Sequence, residues 1–525
     1  RHSWRSRCRG NSWRHRGASR QRTSFVTLAL SPKENPRQTS AIRACRLSAM
    51  AGHEKRMSDT ESLMWRLEKD PYLASTFANI TILDRPPNMD ALYARMERTA
   101  LLVPRLRRRV QPAPGNLGNP TWVDDSTFDI RYHVRQISLP APGDMRQLLD
   151  LVTLLVADPF DRSRPLWHFI IVDGLSGGRS ALVQKLHHTV TDGQGGVELS
   201  LQYLDLQRDP GPLPALDADI VNAANAIPHV DATEALRGAM SDSMRMPLAV
   251  LRQVRDVLSD PSLIGTIGSS TSATVKGLIA QLSETDSARS PLWTTRSLRR
   301  RMETTRVSYY DMRGAAKNLG GTLNTSFITA AAHAAGAYHR QLGAPVESLR
   351  SSMAISTRTS ESGGNAFTLA RMLVPTADMP IEERFAAVNE ILNAARSGAA
   401  SSSLEAIATV SSMVPTSVIT RLARSQAETV DFATSNVRGA GVPLYVAGAK
   451  LLENYPVGPL GGVAFNVTLM SYMGSLDVGL NIDEAAVESP TLLVDLLKQS
   501  FNELAAFAPA SESSNSSGSV VEPGA

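Results

Sequence analysis

The stretch that organises the chain is Leu182–Gly196, with the sequence LVQKLHHTVTDGQGG. Its apolar start predicts a short buried strand beginning near Ser180, and residues Val197–Leu206 offer an apolar helical face. The HHxxxDG pattern at His187–Gly193 therefore lies in a strand-to-helix connection, where a rigid scaffold can hold side chains in a cleft. Because histidine is well suited to accept a proton near neutral pH, the pattern predicts a catalytic base or a structural histidine followed by a helix cap.

Composition and charge indicate the broad class of protein. The 525 residues are 42% hydrophobic and 20% charged, which is typical of a globular chain with two domains. The net charge of +5 arises in the first 49 residues, where eleven Arg and one Lys against one acid give +11, leaving 5 − 11 = −6 for the remainder. The residues after position 49 are net acidic and lack the excess of basic residues typical of nucleic-acid binders, so we expect no nucleic-acid partner. No run reaches the roughly 20 apolar residues of a spanning helix, so any membrane contact is expected to be peripheral.

The first 56 residues form a basic tail that contains both cysteines, Cys8 and Cys45. Their Arg- and Ser-rich, acid-poor composition suits an organelle targeting segment, but ordered patterning begins only at Met57. We expect residues 1–56 to be upstream sequence translated from a misplaced start, with targeting as the alternative. The absence of cysteine from Met57 onward excludes Cys nucleophiles, disulfides and Cys-based metal sites there and fits a reducing cytosol.

Alternating helix and strand patterns predict an α/β (α+β) fold with two domains. The first domain, residues 57–207, opens with a capping box at Ser58 and Glu61. Residues 208–301 start with a proline-rich break and are too long for a plain loop, so they are predicted to be a partly helical linker. The patterns return over residues 302–508, the second domain, and the Ser-rich residues 509–525 are predicted to be disordered.

Periodicity also predicts individual elements and one basic surface. The cluster Arg105, Arg107, Arg108 and Arg109 is interpreted as a solvated face. The predicted helices after the capping box include Met89–Leu102, Met145–Ala157, Met312–Leu319, Thr325–Leu342, Ile381–Arg396 and Ser489–Phe507. The predicted strands include Ala78–Leu83, Leu166–Val172, Ser180–Leu186, Met353–Ile355, Ala366–Leu373, Gly462–Ser471 and Leu476–Ile482.

Several familiar catalytic motifs are missing from the sequence. Gly193–Gly196 lacks the spacing of a dinucleotide fingerprint, and there is no P-loop. His187 and His188 are adjacent rather than four residues apart, unlike the pair of a zinc-binding helix. No GxSxG elbow is present, which argues against a serine hydrolase.

Several short motifs occur in a characteristic order along the chain. Beside HHTVTDG, they are Val103-Pro104-Arg105-Leu106-Arg107, Phe128-Asp129, Tyr132-His133-Val134, Pro165-Leu166-Trp167, Asp173-Gly174-Leu175, Gly364-Asn365, Ser435-Asn436-Val437-Arg438-Gly439 and Pro456-Val457-Gly458-Pro459-Leu460. These motifs extend over roughly Met57 to Phe507, and together they resemble the bacterial wax ester synthase/acyl-CoA:diacylglycerol acyltransferase family. The resemblance implies two CoA-dependent-acyltransferase-like domains, joined by a long partly helical crossover, with an active-site tunnel between them.

The resemblance also implies roles for the residues of the HHxxxDG loop. His188 would be the general base that takes the proton of an acceptor hydroxyl as its oxygen attacks the thioester of an acyl-CoA. Asp192 would orient His188, pair with an Arg to hold the loop, or cap the following helix, and we expect the loop-holding roles. Gly193 would allow a tight turn and leave the tunnel open, and His187 would be a positional neighbour rather than a second base.

Five further residues are expected to have structural positions or to line the tunnel: Pro165, Leu166, Trp167, Asn324 and Asn436. The family commonly has Asn-Asp where this chain has Asn324-Thr325, which removes a carboxylate and puts efficient catalysis or the usual acceptor in doubt. The chain also has Asp70-Pro71-Tyr72-Leu73 in place of the commoner Asn-Pro-Met-His, which suggests a divergent branch.

The implied function is transfer of a long-chain acyl group from CoA to diacylglycerol or a fatty alcohol, giving triacylglycerol or wax ester. Acyl-CoA would be a co-substrate, and we expect no cofactor and no metal. The alternatives are an acyltransferase that uses another alcohol or an amine, and a lipid-binding protein of the same fold with weak catalysis.

The expected location is cytoplasmic, with peripheral attachment to a membrane or lipid-droplet surface. The apolar face of Leu404–Ala423 is the candidate docking element, although Pro415 must kink or divide it. The competing interpretation of this segment is a core helix of the second domain.

Overall fold

The structure is a computed structural model that describes residues 56–113, 118–225, 289–356, 367–398 and 416–509. The predicted tails and most of the predicted linker lie outside these ranges. The described helices, numbered in chain order, are α1 Asp59–Leu67, α2 Met89–Leu102, α3 Ile130–His133, α4 Met145–Ala157, α5 Gly193–Ser200, α6 Ala218–Asn225, α7 Tyr309–Asn318, α8 Leu323–Gln341, α9 Ile381–Gly398, α10 Thr416–Ala427 and α11 Pro490–Ala505. The described strands are β1 Thr76–Leu83, β2 Arg108–Gln111, β3 Thr121–Asp124, β4 Val134–Ser138, β5 Trp167–Leu175, β6 Arg179–His187, β7 Arg300–Ser308, β8 Ser348–Ser356, β9 Phe367–Pro375, β10 Phe432–Val437, β11 Tyr445–Val446, β12 Ala449–Val457, β13 Phe465–Tyr472 and β14 Ser475–Asp483.

Helix caps account for the predictions that agree most closely with the structure. The capping box is confirmed, because the Ser58 side chain accepts from the Glu61 amide and the Glu61 carboxylate accepts from the Ser58 amide. The predicted bounds of α2 and α4 are also confirmed, and these helices begin at side-chain caps from Asn88 and Asp144. A polar cap before an apolar period fixes where a helix begins.

The first sheet has the strand order β11-β12-β1-β6-β5-β4. Its neighbours are antiparallel except for β4 and β5, which are parallel. One face carries Ile80, Val172 and Val183, all fully buried, which pack with Leu148 and Val152 of α4. Since side chains alternate along a strand, the opposite face of β1 and β6 carries a different set of residues.

The second sheet has the strand order β7-β14-β13-β10-β8-β9. The central strand β10 is parallel to both neighbours, and the other pairs are antiparallel. Helices α8, α9 and α11 supply apolar side chains to the largest core cluster, in which Phe327, Phe385 and Phe501 meet strand residues such as Leu469 and Val478. The opposite face of the second sheet is turned away from these helices.

Strand β12 connects the two halves of the fold. It belongs to the second half of the chain, yet it pairs with β1 in the first sheet, from Ala78 opposite Val457 to Leu83 opposite Leu451. It also passes close to β14, where a Cβ atom on Gly479 would lie 2.0 Å from the Pro456 carbonyl oxygen. The predicted contiguous domain 302–508 therefore differs from the observed sheets, because two of its strands, β11 and β12, complete the sheet of residues 57–207.

Candidate active site

A cavity of about 580 Å³ lies between the two sheets. The first sheet contributes β1, β6 and β12, and the second contributes β8, β9, β10 and β13, with α5 and α10 closing its sides. Its wall includes His188 and Asp192 from the HHxxxDG loop together with Asn436 from β10. The cavity thus gathers residues from both halves of the chain around one histidine.

His188 lies directly after β6 and lines the cavity. Its amide donates to the Ser75 carbonyl over 3.1 Å, and its ring packs against Phe77 with a centroid separation of 4.6 Å. Burial lowers the pKa of His188 to about 4; neighbouring His187 reinforces the effect and Asp192 opposes it. The imidazole is therefore neutral at physiological pH and able to accept a proton.

His187 has a different environment, because its ring is fully buried on the other side of β6. Nε2 lies 2.5 Å from an oxygen of Glu68, and Nδ1 accepts from the Thr189 amide over 3.1 Å. The Thr189 hydroxyl is 2.7 Å from the same Nδ1. Both ring nitrogens face these groups, and His187 is not among the residues that line the cavity, so we infer that it holds the loop.

Asp192 is the N-cap of α5, and its Oδ1 accepts from the Gly195 amide over 2.7 Å. Capping is one of the three roles predicted for this residue. Gly193 contributes close approach rather than a left-handed turn, because an added Cβ would lie 3.2 Å from Val437 on β10. The beginning of α5 is thus packed against the second sheet.

Replacing Asp192 with alanine is expected to lower the free energy of unfolding by about 1 kcal/mol, the usual contribution of a helix N-cap. Asp192→Asn keeps a capping oxygen and should retain most of this stability. Urea unfolding of the two variants beside the wild type measures the difference. Equal stability of Asp192→Ala and wild type would contradict the capping role.

Pro165, Leu166 and Trp167 form the layer behind the loop. The Leu166 carbonyl accepts from the His187 amide over 3.1 Å. Trp167 is fully buried, donates from Nε1 to the Leu106 carbonyl over 2.8 Å and stacks on His133. This motif supports β6 and lies outside the described wall of the cavity.

Arg105 also supports the loop, which the interpretation of a solvated basic face missed. Its guanidinium donates to Glu61 of α1 over 2.6 Å and to the Thr189 carbonyl over 2.8 Å. It also lies over the Trp122 ring at 4.5 Å. That interpretation is therefore wrong for Arg105, which connects α1 to the HHxxxDG loop.

Asn324 and Asn436, which are far apart in sequence, are in contact. Asn436 donates from Nδ2 to the Oδ1 of Asn324 at the start of α8. Thr325, at the position where the family commonly has Asp, completes a capping box with Thr322 and donates to Asn389 over 3.1 Å. Asn324 and Thr325 are both described, and neither lines the cavity. The presence of Thr instead of Asp at position 325 therefore changes the start of α8 rather than the cavity wall.

The candidate docking segment is described only from residue 416 onward, as α10. Ile419 is buried, and both Ile419 and Ala423 line the cavity. This part of the segment therefore forms cavity wall, and the prediction for residues 404–415 lies outside the described residues. None of the helices within the described ranges has both the length and the apolar character needed to cross a bilayer.

Glu68 is the site residue that the sequence interpretation did not identify. It follows α1 directly, and in the sequence it resembles any acidic residue at a helix end. Its contact with His187 joins residues that are more than a hundred positions apart, and no local pattern predicts it. Arg105 did have a signal in the sequence, because it lies in Val103–Arg107, one of the motifs that carry the family resemblance.

Solved structures show the class of fold. The chain is similar to the wax ester synthase/diacylglycerol acyltransferase of Marinobacter aquaeolei VT8, with a TM-score of 0.59, 21% identity and coverage of 86% of this chain and 99% of that one. It is also similar to a mutant starter condensation domain of rhizomide synthetase in complex with C8-CoA and Leu-SNAC, with a TM-score of 0.51, 12% identity and coverage of 88% and 95%. The predicted mixed α/β fold with two acyltransferase-like domains is confirmed.

Sequence comparison identifies the family. Residues 57–327 match the family model of the wax ester synthase/diacylglycerol acyltransferase catalytic domain, and residues 363–505 match the C-terminal domain. A Mycobacterium tuberculosis protein with the provisional name diacylglycerol O-acyltransferase is 32% identical over 503 residues, covering 90% of this chain and 98% of its own length. Another with the same provisional name is 26% identical over 484 residues, covering 87% and 98%. The chain belongs to the wax ester synthase/diacylglycerol acyltransferase family and is an acyltransferase.

Proposed function

We propose that the protein transfers a long-chain acyl group from acyl-CoA to diacylglycerol or a long-chain alcohol, with His188 as the general base. The observation that carries the proposal is the position of His188, a neutral imidazole on the wall of the cavity between the sheets. The names of the mycobacterial relatives support diacylglycerol as an acceptor. Acyl-CoA enters as a co-substrate, and the proposed reaction needs no cofactor or metal.

In the proposed reaction, His188 takes the hydroxyl proton of the acceptor as that oxygen attacks the thioester carbonyl. The new C–O bond forms, the C–S bond breaks, and the departing sulfur of CoA receives the proton. No acyl-enzyme intermediate is involved, which agrees with the lack of cysteine in the sequence from Met57 onward. Asp192 and Arg105 would hold the loop in place while the proton moves.

The cavity wall suits long acyl chains. Leu63, Met64 and Leu67 of α1 contribute one side, and Val457 and Leu460 contribute another. Burial of methylene groups against such a surface stabilises a bound chain by about 0.8 kcal/mol per group. We propose that the acyl chain occupies this space and that the protein meets its lipid substrates at a membrane or droplet surface.

A direct assay tests the reaction. Purified protein is incubated with radiolabelled palmitoyl-CoA and either diacylglycerol, hexadecanol, a short-chain alcohol or an amine. Labelled triacylglycerol or wax ester is the expected product. Label only in an amide or a short-chain ester would replace the proposed acceptor, and binding of lipid without product would identify a lipid-binding protein instead.

The pH dependence of kcat/KM should reflect the lowered pKa of His188. We expect the acid limb to have its midpoint near pH 4, rather than near the 6.5 of an ordinary histidine. A midpoint between pH 6 and 7 would mean that the pKa of the base is not lowered, and it would contradict this prediction.

Acid unfolding must be separated from this limb. Burial also lowers the pKa of His133 to about 4, whereas an unfolded histidine binds its proton near 6.5. The unfolded state therefore holds more protons between these values, so this contribution to stability is complete above pH 6.5 and is lost as the pH falls toward 4. Circular dichroism at each pH identifies the range in which the protein remains folded.

A further inference from the structure

Glu68 is a buried carboxylate that connects three parts of the site. It lies at the C-terminal end of α1, and its side chain is only 13% exposed. Its Oε1 accepts from the Thr76 hydroxyl over 3.3 Å, and its Oε2 lies 2.5 Å from His187 Nε2. Thr76 and His187 are themselves paired residues of β1 and β6. The carboxylate therefore bridges α1 to the end of the strand that carries the catalytic loop.

The charge of Glu68 is maintained by its surroundings. Burial acts to raise the pKa of Glu68, but contacts with His187, Arg162 and Thr76 together hold it below its usual value. The Arg162 guanidinium is 3.9 Å from Oε2 and is itself fixed by donation to the Trp65 carbonyl over 2.9 Å. Glu68 therefore stays ionised at neutral pH and places a negative charge beside His187 Nε2.

The hydrogen bonds of His187 determine which ring nitrogen carries the proton. A backbone amide is always a donor, so the Thr189 amide requires Nδ1 of His187 to be the acceptor. In the neutral ring the proton then lies on Nε2, the atom that faces Glu68. The Thr189 amide thus selects the tautomer, and the Glu68 carboxylate lies beside the protonated nitrogen, where its charge favours this orientation of the ring.

We propose that Glu68 is a positioning residue for acyl transfer, which acts through His187 to hold the neighbouring His188 in its reactive orientation. This inference rests on the proposed function. His187 and His188 are consecutive, and their amides donate to Leu166 and Ser75 on opposite sides of β6. The His187 ring extends from the same stretch of main chain as the His188 ring, so the contact between His187 and Glu68 restrains the segment that carries the proposed base.

Energetic considerations favour a functional role over simple packing. Burial of a carboxylate next to an imidazole carries a desolvation cost, and apolar residues of similar volume often stabilise a core equally well. Here the polar contact is at the loop that carries the proposed base. A displacement of about 1 Å at a reacting group can lower a rate about 10²-fold.

The first test compares two substitutions of Glu68. Glu68→Ala is expected to lower kcat about 10–100-fold with little change in the KM for palmitoyl-CoA, because the cavity wall is intact and only the base is displaced. Glu68→Gln keeps an oxygen that can accept from Nε2 and should recover most of the rate. An unchanged kcat in Glu68→Ala, or an equal loss in both variants, would overturn the positioning role.

Glu303 provides a matched control for the loss of a buried carboxylate. It is 17% exposed and contacts Arg146 at 2.8 Å and Arg301 at 2.7 Å, on the edge strand β7. Glu303→Ala should reduce stability and leave kcat at the wild-type value. If Glu303→Ala lowers kcat as much as Glu68→Ala, the effect comes from general destabilisation and the inference fails.

A double-substitution cycle tests whether Glu68 acts through His187. In protein that already carries His187→Ala, the additional change Glu68→Ala should cause no further loss of kcat. Multiplied losses in the double variant would show independent action and overturn the inference.

The ¹⁵N NMR signals of His187 provide a readout without substrate. A single Nε2–H tautomer is expected in wild type and in Glu68→Gln, and this comparison remains informative if Glu68→Ala fails to fold. A mixture of tautomers in wild type would contradict it.

The same experiments distinguish this inference from the proposed function. Full activity of His188→Ala would reject His188 as the base and with it the proposed function. A large loss in His188→Ala together with normal kcat in Glu68→Ala would reject only the role of Glu68.

Discussion

Replacing His188 with alanine is expected to lower turnover about 10²–10⁴-fold, the usual contribution of a positioned general base. The fold should persist, because the side chain lines a cavity and the hydrogen bond from the His188 amide to the Ser75 carbonyl does not depend on the ring. Turnover is measured with radiolabelled palmitoyl-CoA and the preferred acceptor. Circular dichroism and the thermal midpoint of the variant show whether the structure is retained.

His187→Ala is the matched control, because it removes an identical side chain one position earlier. It should cost less turnover than His188→Ala and more stability, since its ring is fully buried against Glu68 and Thr189. Small and equal losses of turnover at both positions would reject the mechanism. A greater loss of turnover at His187 would exchange the assigned roles of the two histidines.

Replacing Gly479 with alanine is expected to cost about 3 kcal/mol of stability, at the upper end of the usual overpacking range. The added Cβ would lie 2.0 Å from the Pro456 carbonyl oxygen, a backbone atom that cannot rotate away. Strands β12 and β14 must then separate, which also moves Pro456 and Val457 in the cavity wall. Urea unfolding measures the stability, and turnover should fall with it.

Gly441→Ala is the control for this substitution. Gly441 is exposed, and an added Cβ would meet no atom within 4 Å. Its stability should match the wild type. Wild-type stability in Gly479→Ala would mean that β12 and β14 do not approach each other as closely as the structure shows.

Local signals in the sequence predicted the helices and the loop that carries His188. For α2 and α4, a polar cap followed by an apolar period is a short-range pattern, so their bounds were correct. The HHxxxDG loop follows a strand as predicted, but the helix after it, Gly193–Ser200, begins and ends earlier than the predicted apolar face Val197–Leu206. The cap at Asp192 depends only on residues up to Gly195.

Long-range contacts were the part that the sequence could not predict. Strand β12 was not among the predicted strands, and its place beside β1 depends on a partner hundreds of residues away. Glu68 appears as an ordinary charge at a helix end until the fold brings it to His187, and even Arg105, which lies in a recognised motif, could not be connected to Thr189 from the sequence. The sequence pattern identified the proposed base, whereas most of the contacts that hold it became apparent only from the structure.

The late position of β12 in the chain has a consequence for synthesis. The carboxylate of Asp84, just after β1, accepts from the amide of Lys450 in β12, and 366 positions separate the two residues. At about 5–20 residues per second, a ribosome needs roughly 20–70 s to cover that distance. Throughout this interval one edge of β1, with the sequence TFANITIL, has no partner strand. Such an edge is a template for pairing with other chains, so the nascent first half is the stage most exposed to aggregation and most dependent on chaperones.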